Sequence, residues 1–260
     1  MADRFPHSSQ GPFRADQLQD GDRYELTDGH PIYCAPSSAT HANRNLSGGS
    51  VLETDPDVDW AGVDAGFAPQ PGTLRAPDVA IGSTALIGDS SGWIAGVPPL
   101  AVEYAAQGQD EAGLQEKISD LLGNGTHQVW VVRLVGPRRV EVYAPGQAIR
   151  VLGPGDQLQA PGLLRNPVPV EALYDRDAGH RATLRNLLQR QGYEDLDAVL
   201  AEGVAEGHAR AVLHLLRHRD LAVSAELEQR IMACRDPDQL DKWLFAATQV
   251  TRADDIFEAD

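Results

Sequence analysis

The sequence predicts a mixed α/β domain followed by an all-helical region. Three observations carry that reading. Short apolar segments punctuated by Gly and Pro fill the chain up to about Asp175. Within that part, a strand, a helix and a strand succeed one another between Leu100 and Leu134, the order of a βαβ-like unit. Beyond Asp175 there is a single proline, Pro237, and the apolar residues fall at helical spacing. The polar stretch Asp175–Gly179 marks the boundary, giving domains over residues 14–176 and 180–260.

The elements follow in chain order. Arg23–Leu26 and Pro31–Cys34 read as strands joined by the hairpin turn Thr27-Asp28-Gly29. Pro36–Ser47 reads as a helix, and Val51–Thr54 and part of Val58–Phe67 as strands. Asp78–Gly82 and Leu100–Ala106 are stronger strand candidates. A helix spans Asp110–Leu122: Asp110 suits its N-cap, Gly123 its end, and Leu114, Ile118, Leu121 and Leu122 form its apolar face. Gln128–Leu134, Arg139–Tyr143 and Ala148–Leu152 complete the strands. In the second part, Leu184, Leu187 and Leu188, then Leu196, Val199 and Leu200, then Val212, Leu215 and Leu216 mark apolar helix faces. Asp236-Pro237 starts another helix, with Leu240, Trp243 and Leu244 on its buried side. Thr251-x-x-Asp254 reads as a last capping box.

Composition excludes several classes. At 42% hydrophobic and 23% charged the chain is not wholly disordered, and no apolar run spans a bilayer. Met1–Phe13 lacks the apolar core of a signal peptide, and Cys34 and Cys234 make no disulfide framework, so a reducing cytoplasm is expected. The net charge of −16 argues against non-specific coating of DNA: residues 1–178 carry 12 basic and 23 acidic side chains, residues 179–260 carry 10 and 15. Of the 22 basic residues, all but Lys117 and Lys242 are arginine.

Two acids stand out. Period-two alternation puts Asp78 on one face with Ala80, and Glu103 on one face with Ala101 and Ala105. A carboxylate in an apolar strand needs a cation, hydrogen bonds or open water, and alanines leave room beside it. Mg²⁺, with Mn²⁺ as a substitute, binds through one or two carboxylates while keeping water and substrate phosphate; ordinary strand-end hydrogen bonding explains the same pattern. Lys117 lies roughly 60° around its helix from Leu114, at the border of the apolar face, where it reaches either the carboxylates or water. His41 is a lone histidine, structural or functional. His214 and His218 lie four apart without a third ligand, beside Arg217 and Arg219, and read as a solvated face.

Tyr24-Glu25-Leu26-Thr27-Asp28-Gly29, Ala35-Pro36-Ser37 with His41, Pro77-Asp78-Val79, Gly96 to Glu103, Lys117, Gln128 to Val132 and Val140 to Tyr143 occur in a telling order. Over about Tyr24–Tyr174 the chain resembles the Uma-type (Uma two) restriction endonuclease family of the PD-(D/E)XK nuclease superfamily. The resemblance implies a restriction-endonuclease-like core, a mixed sheet flanked by helices. It implies Mg²⁺ on Asp78 and Glu103, Lys117 positioning or stabilising the attacking hydroxide, Glu25 supporting the site from the first hairpin, and a role for His41. The substrate implied is nucleic acid, DNA first; a homo-oligomer, with a dimer as one form, is expected. Ala106 stands where the family usually has serine, and Gly113 where it often has an acid, so a nuclease-fold binding module without turnover is the alternative. The tail, Ala182–Phe257, loosely resembles the C-terminal segment of Rpn-type transposases and recombination-promoting nucleases, or a generic bundle suited to self-association.

Overall fold

In the computed structural model, residues 11–87, 92–108 and 110–258 are described. The elements in order are β1 (Tyr24–Thr27), β2 (His30–Tyr33), α1 (Ala39–Glu53), β3 (Trp60–Gly62), β4 (Phe67–Gln70), β5 (Thr73–Arg75), β6 (Val79–Gly82), α2 (Thr84–Ile87), β7 (Ile94–Ala95), β8 (Leu100–Ala105), α3 (Glu111–Gly123), β9 (Gln128–Arg133), β10 (Arg139–Tyr143), β11 (Arg150–Leu152), β12 (Gln157–Leu158), β13 (Val168–Pro169), α4 (Arg176–Arg190), α5 (Leu196–His218), α6 (Ala225–Ala233) and α7 (Pro237–Ala246). They form two compact units, residues 1–190 and 191–260.

The first unit is built on a six-stranded sheet in the order β11-β10-β9-β8-β6-β3, beside a five-stranded sheet in the order β2-β1-β5-β4-β7. β8 and β9 are parallel with α3 as the crossover, the βαβ unit legible in the sequence. β6 pairs antiparallel with β8, Val79 opposite Val102 and Ala80 opposite Ala101. One residue further along that register, Asp78 faces Glu103.

Alternation along β8 divides the core. Leu100, Val102 and Tyr104 join Val51 and Leu52 of α1 in one apolar cluster. Ala101 and Ala105 lie on the other face with Leu114, Ile118 and Leu121 of α3. Each of those three α3 side chains contributes about 1.5–3 kcal/mol by leaving water. Asp110 caps α3, accepting from the amides of Ala112 and Gly113. The β1–β2 hairpin turns through Asp28 and Gly29, both with positive φ, 46° and 77°.

Several sequence expectations need correction. Val51–Thr54 is not a strand: α1 runs on to Glu53, with Thr54 as its C-cap. Gly48-Gly49 does not stop the helix, because Gly48 is packed against the Tyr104 hydroxyl, where a Cβ would stand 2.1 Å from the oxygen. The leucine face of α4 is not its buried face. Leu184 and Leu187 are exposed, and α4 instead buries Ala178, Gly179, Ala182 and Asn186. Small residues allow the close approach to α1, and Asn186 Nδ2 donates to the Val51 carbonyl at 3.0 Å. The third concerns α5, whose Leu196 and Leu200 are exposed while Val212 and Leu216 are buried. The first compact unit extends past the change of sequence texture at Asp175 to include all of α4.

The second unit closes a separate apolar core, with Leu213, Leu216, Leu227, Ile231, Leu240, Trp243 and Ile256 at its centre. Asp195, Ser224 and Asp236 cap α5, α6 and α7, and Pro237 occupies the first position of α7. The last element is a 3₁₀ turn over Ala253–Phe257 with Arg252 as its N-cap and no side-chain cap hydrogen bond, so the expected Thr251-x-x-Asp254 capping box does not form. Among the described residues, no helix is long and apolar enough to cross a membrane.

Candidate active site

Asp78 sits in the loop just before β6 and is held from three directions. Its Oδ2 accepts the Tyr104 amide at 2.6 Å. Its Oδ1 is 2.9 Å from His41 Nε2 and accepts from Asn45 Nδ2 at 3.3 Å. His41 and Asn45 lie four apart on α1, hence on one face. Ser38, the N-cap of α1, accepts the His41 amide and fixes where that face begins. Asp78 is therefore an oriented carboxylate with one edge on α1 and the other on β8.

Lys117 projects from α3 into the cluster. Its Nζ stands 3.0 Å from Glu25 Oε1 and 3.0 Å from Glu103 Oε1. Its hydrogen bonds run to the Ala76 carbonyl at 2.7 Å and to Glu103 Oε2 at 3.2 Å. Behind it lies Arg75, whose side chain is 2% exposed. Arg75 donates to Glu25 Oε2 at 3.2 Å, to Thr27 Oγ1, and to Asp120 Oδ2 at 2.9 Å through Nε. One guanidinium thus ties β1 to α3, and Asp120 is three residues after Lys117 on the same helix. Glu25, Asp78, His41 and Lys117 line a cleft of about 800 Å³, together with Asp64, Cys34 and Tyr104. Glu103 is behind that lining, 6% exposed, between Ala101 and Ala105.

Residues 13–169 match the model of Uma2, described as "Putative restriction endonuclease". The chain belongs to the Uma2 family. No curated protein matches it. Among solved structures, it is similar to "a putative nuclease belonging to DUF820" from Anabaena variabilis, at 18% identity and a TM-score of 0.55. That likeness covers 64% of this chain and 99% of the other. It is a likeness of fold, and it agrees with the mixed-sheet core expected from the sequence. The Uma2 match stops short of α4 and of the helical tail.

In this Uma2 chain the charges of the cleft do not balance. Glu25, Asp64, Asp78 and Glu103 gather around one lysine, while Arg75 divides its charge between Glu25 and Asp120. Burial opposes the charge on Lys117, but Glu103, Glu25 and Asp78 outweigh it and hold the ammonium far above the usual lysine range. Burial likewise opposes ionisation of Asp78, but the His41 hydrogen bond and Lys117 keep its carboxyl below the ordinary value. Glu103 bears the imbalance. Burial first, then Asp78 and Glu25, push it up to about 8 against the pull of Lys117. The Asp78 contact raises the His41 pKa in turn.

These residues fit a hard divalent cation. Glu103 Oε1 is enclosed, and despite the nearby ammonium it accepts no hydrogen bond. Its one close cation is an ammonium it shares with Glu25, in a cluster short of positive charge. Among the described residues, no three His, Cys, Asp or Glu side chains are arranged as a full metal cage. Two carboxylates suit an ion that retains water and takes phosphate oxygens, as Mg²⁺ and Mn²⁺ do.

The structure brings together all five residues singled out in the sequence: Glu25, Asp78, Glu103, Lys117 and His41. It adds four that the sequence reading missed. Asn45 is one helical turn after His41, and Asp120 one turn after Lys117, so helical spacing from the known candidates points to both. Arg75 carries the third signal, an arginine in a short strand two residues ahead of Pro77. Asp64 has no local signal. Its left-handed backbone, φ 53°, sets its carboxylate at the cleft, where burial and Asp78 raise its pKa.

Proposed function

We propose that this Uma2 protein is a divalent-metal-dependent endonuclease hydrolysing phosphodiester bonds of nucleic acid, with DNA as the first substrate to test. The observation that carries the reading is the Lys117 ammonium held 3.0 Å from both Glu25 and Glu103, with Asp78 oriented beside them in the same cleft. Asp78 and Glu103 would hold Mg²⁺ or Mn²⁺. When bound, such an ion lowers the pKa of its water and neutralises charge on phosphate. Lys117 stays protonated, so its part is electrostatic: it stabilises negative charge on the attacking oxygen or the phosphate and does not serve as a base. Glu25 and Arg75 fix the lysine, and His41 and Asn45 fix Asp78.

The alternative is a nuclease fold that has lost turnover and acts as a binding or self-associating module. Ala106 and Gly113, at positions where the family usually has serine and an acid, favour it, as do the exposed Leu196, Leu200 and Val204 on α5.

The test is cleavage of labelled duplex and single-stranded DNA and RNA with Mg²⁺ or Mn²⁺, comparing wild type with Asp78→Asn and Lys117→Gln. Metal-dependent cleavage by wild type, reduced at least about 100-fold in both variants, is expected. Equal cleavage by both variants places the activity elsewhere. No cleavage of any substrate by wild type selects the alternative.

A further inference from the structure

A second cluster lies on the other side of Tyr104 from the carboxylates. Arg44, on α1 one residue before Asn45, donates through Nη1 to the Tyr174 carbonyl at 2.6 Å. Tyr104, whose amide holds Asp78, donates its hydroxyl to the adjacent Leu173 carbonyl at 2.9 Å. Arg138, in the loop before β10, places its guanidinium carbon 5.6 Å from the centre of the Tyr174 ring.

The polar atoms of this cluster are left over. Arg44 Nε, Arg138 Nη1 and the Tyr174 hydroxyl are each enclosed without a hydrogen-bond partner. Among the described residues, neither arginine has a carboxylate within ion-pair distance. That is unexpected in a chain of net charge −16. The acids near Tyr174 turn to backbone amides: Glu171 Oε1 accepts from Gly155 at 2.6 Å, and Asp175 Oδ1 accepts from Ala178 at 2.9 Å. Burial first, then the neighbouring Arg138, lower the pKa of Arg44, as two guanidiniums near one another must. Two forked donors and a hydroxyl, with no ion-paired carboxylate among the described residues, match the oxygens of a phosphate group.

We propose that Arg44, Arg138 and Tyr174 form a subsite for a phosphate group, supplied by the nucleic-acid backbone next to the bond that is cut. The phosphate chemistry stands on the cluster alone, whereas its source rests on the nuclease reading. The subsite supplies what an acidic chain otherwise lacks, a local positive seat for the substrate. α1 couples the two places directly: His41 and Asn45 orient Asp78, and Arg44 between them turns to the phosphate.

The experiment uses the full chain in two arms, without metal so that nothing is cut. In the first, binding of a fluorescent DNA duplex is followed by anisotropy across a salt series. In the second, thermal unfolding is followed with increasing inorganic phosphate. The proteins are wild type, Arg138→Gln, Arg44→Gln/Arg138→Gln and the charge-keeping Arg44→Lys/Arg138→Lys. Arg138→Gln is included because Arg138 makes no hydrogen bond among the described residues.

The expected result is a loss of duplex affinity of about tenfold or more in the double Gln variant. The slope of log affinity against log salt should fall by about 1–2, as for the loss of one or two phosphate contacts. The Lys variant should recover part of both, and phosphate should raise the unfolding temperature of wild type but not of the Gln variants. If phosphate discriminates the variants and DNA does not, the backbone assignment falls and free phosphate or a nucleotide is the ligand. If neither arm discriminates wild type from Arg138→Gln and the double variant, the subsite is overturned, with the nuclease reading untouched. If wild type neither binds nor cleaves nucleic acid, the nuclease reading falls, and the phosphate arm alone decides the subsite.

Discussion

The first turn of α3 and its middle carry charge in opposite ways. At its N-terminus Glu111 takes both Nη groups of Arg133, at 2.7 and 2.8 Å. Arg133 and Arg139 then share Glu141, which also accepts the Tyr143 hydroxyl at 3.1 Å. Two guanidiniums meet two carboxylates, and the network closes on itself. Less than two turns later, Lys117 meets Glu25, Glu103 and Asp78, and the carboxylates are in excess. Two glutamates record the difference. The Arg133 hydrogen bonds bring Glu111 down to about 2, whereas burial brings Glu103 up to about 8. A structural network neutralises itself. Where carboxylates are in excess, one of them keeps its proton near neutral pH, and in the proposed reading a divalent cation would take that proton's place.

Breaking the unbalanced cluster is expected to have the largest effect. Lys117→Met leaves Glu25 and Glu103 enclosed without their ammonium, a loss of about 3–5 kcal/mol. Urea unfolding without metal measures it, and a loss under about 1 kcal/mol would show that the lysine is not the countercharge. Arg75→Lys comes next. A lysine cannot span Glu25, Thr27 and Asp120 together, and about 2–3 kcal/mol is lost, read by the same unfolding.

The sharpest contrast is in sign. Near pH 7 folding forces a proton onto Glu103, whose pKa rises to about 8; Glu103→Gln is neutral without that cost, and stability is expected to rise by about 1–2 kcal/mol while cleavage is lost. Glu141→Gln removes a charge that Arg133 and Arg139 need, and stability is expected to fall by about 1–2 kcal/mol with cleavage kept. The same sign for both would erase the distinction between the two clusters. The smallest effect is at Glu111. Its folded pKa is depressed, so its contribution is complete above the ordinary glutamate value near 4.3 and disappears as pH falls towards 2. The melting-temperature gap between wild type and Glu111→Gln should be open at pH 6 and closed by pH 2.

The two compact units differ in the same respect. The buried polar and charged residues described, among them Glu25, Asn45, Arg75, Glu103, Glu141 and Asn186, all belong to residues 1–190, and the core of the second unit is apolar. This governs what the sequence made legible. Alternation on β8 found both the apolar face of Tyr104 and the isolation of Glu103, because period two reports directly on burial. Spacing found the caps Asp110 and Asp236 and the hairpin at Asp28-Gly29, because these are local. The extent of α1 was hidden, since Gly48-Gly49 reads as a break until Tyr104 is seen to need the space. Arg75 was hidden for a related reason: its three partners lie 45–50 residues away in sequence. The leucines of α4 and the start of α5 misled, because periodicity identifies a face without saying what covers it.

Titration of the full chain with Mn²⁺ by calorimetry, in the absence of nucleic acid, tests the central claim most directly. One binding site is predicted in wild type and in Glu141→Gln, and none in Asp78→Asn or Glu103→Gln. A wild type that takes up no Mn²⁺, or an Asp78→Asn variant that binds it as wild type does, would contradict the account.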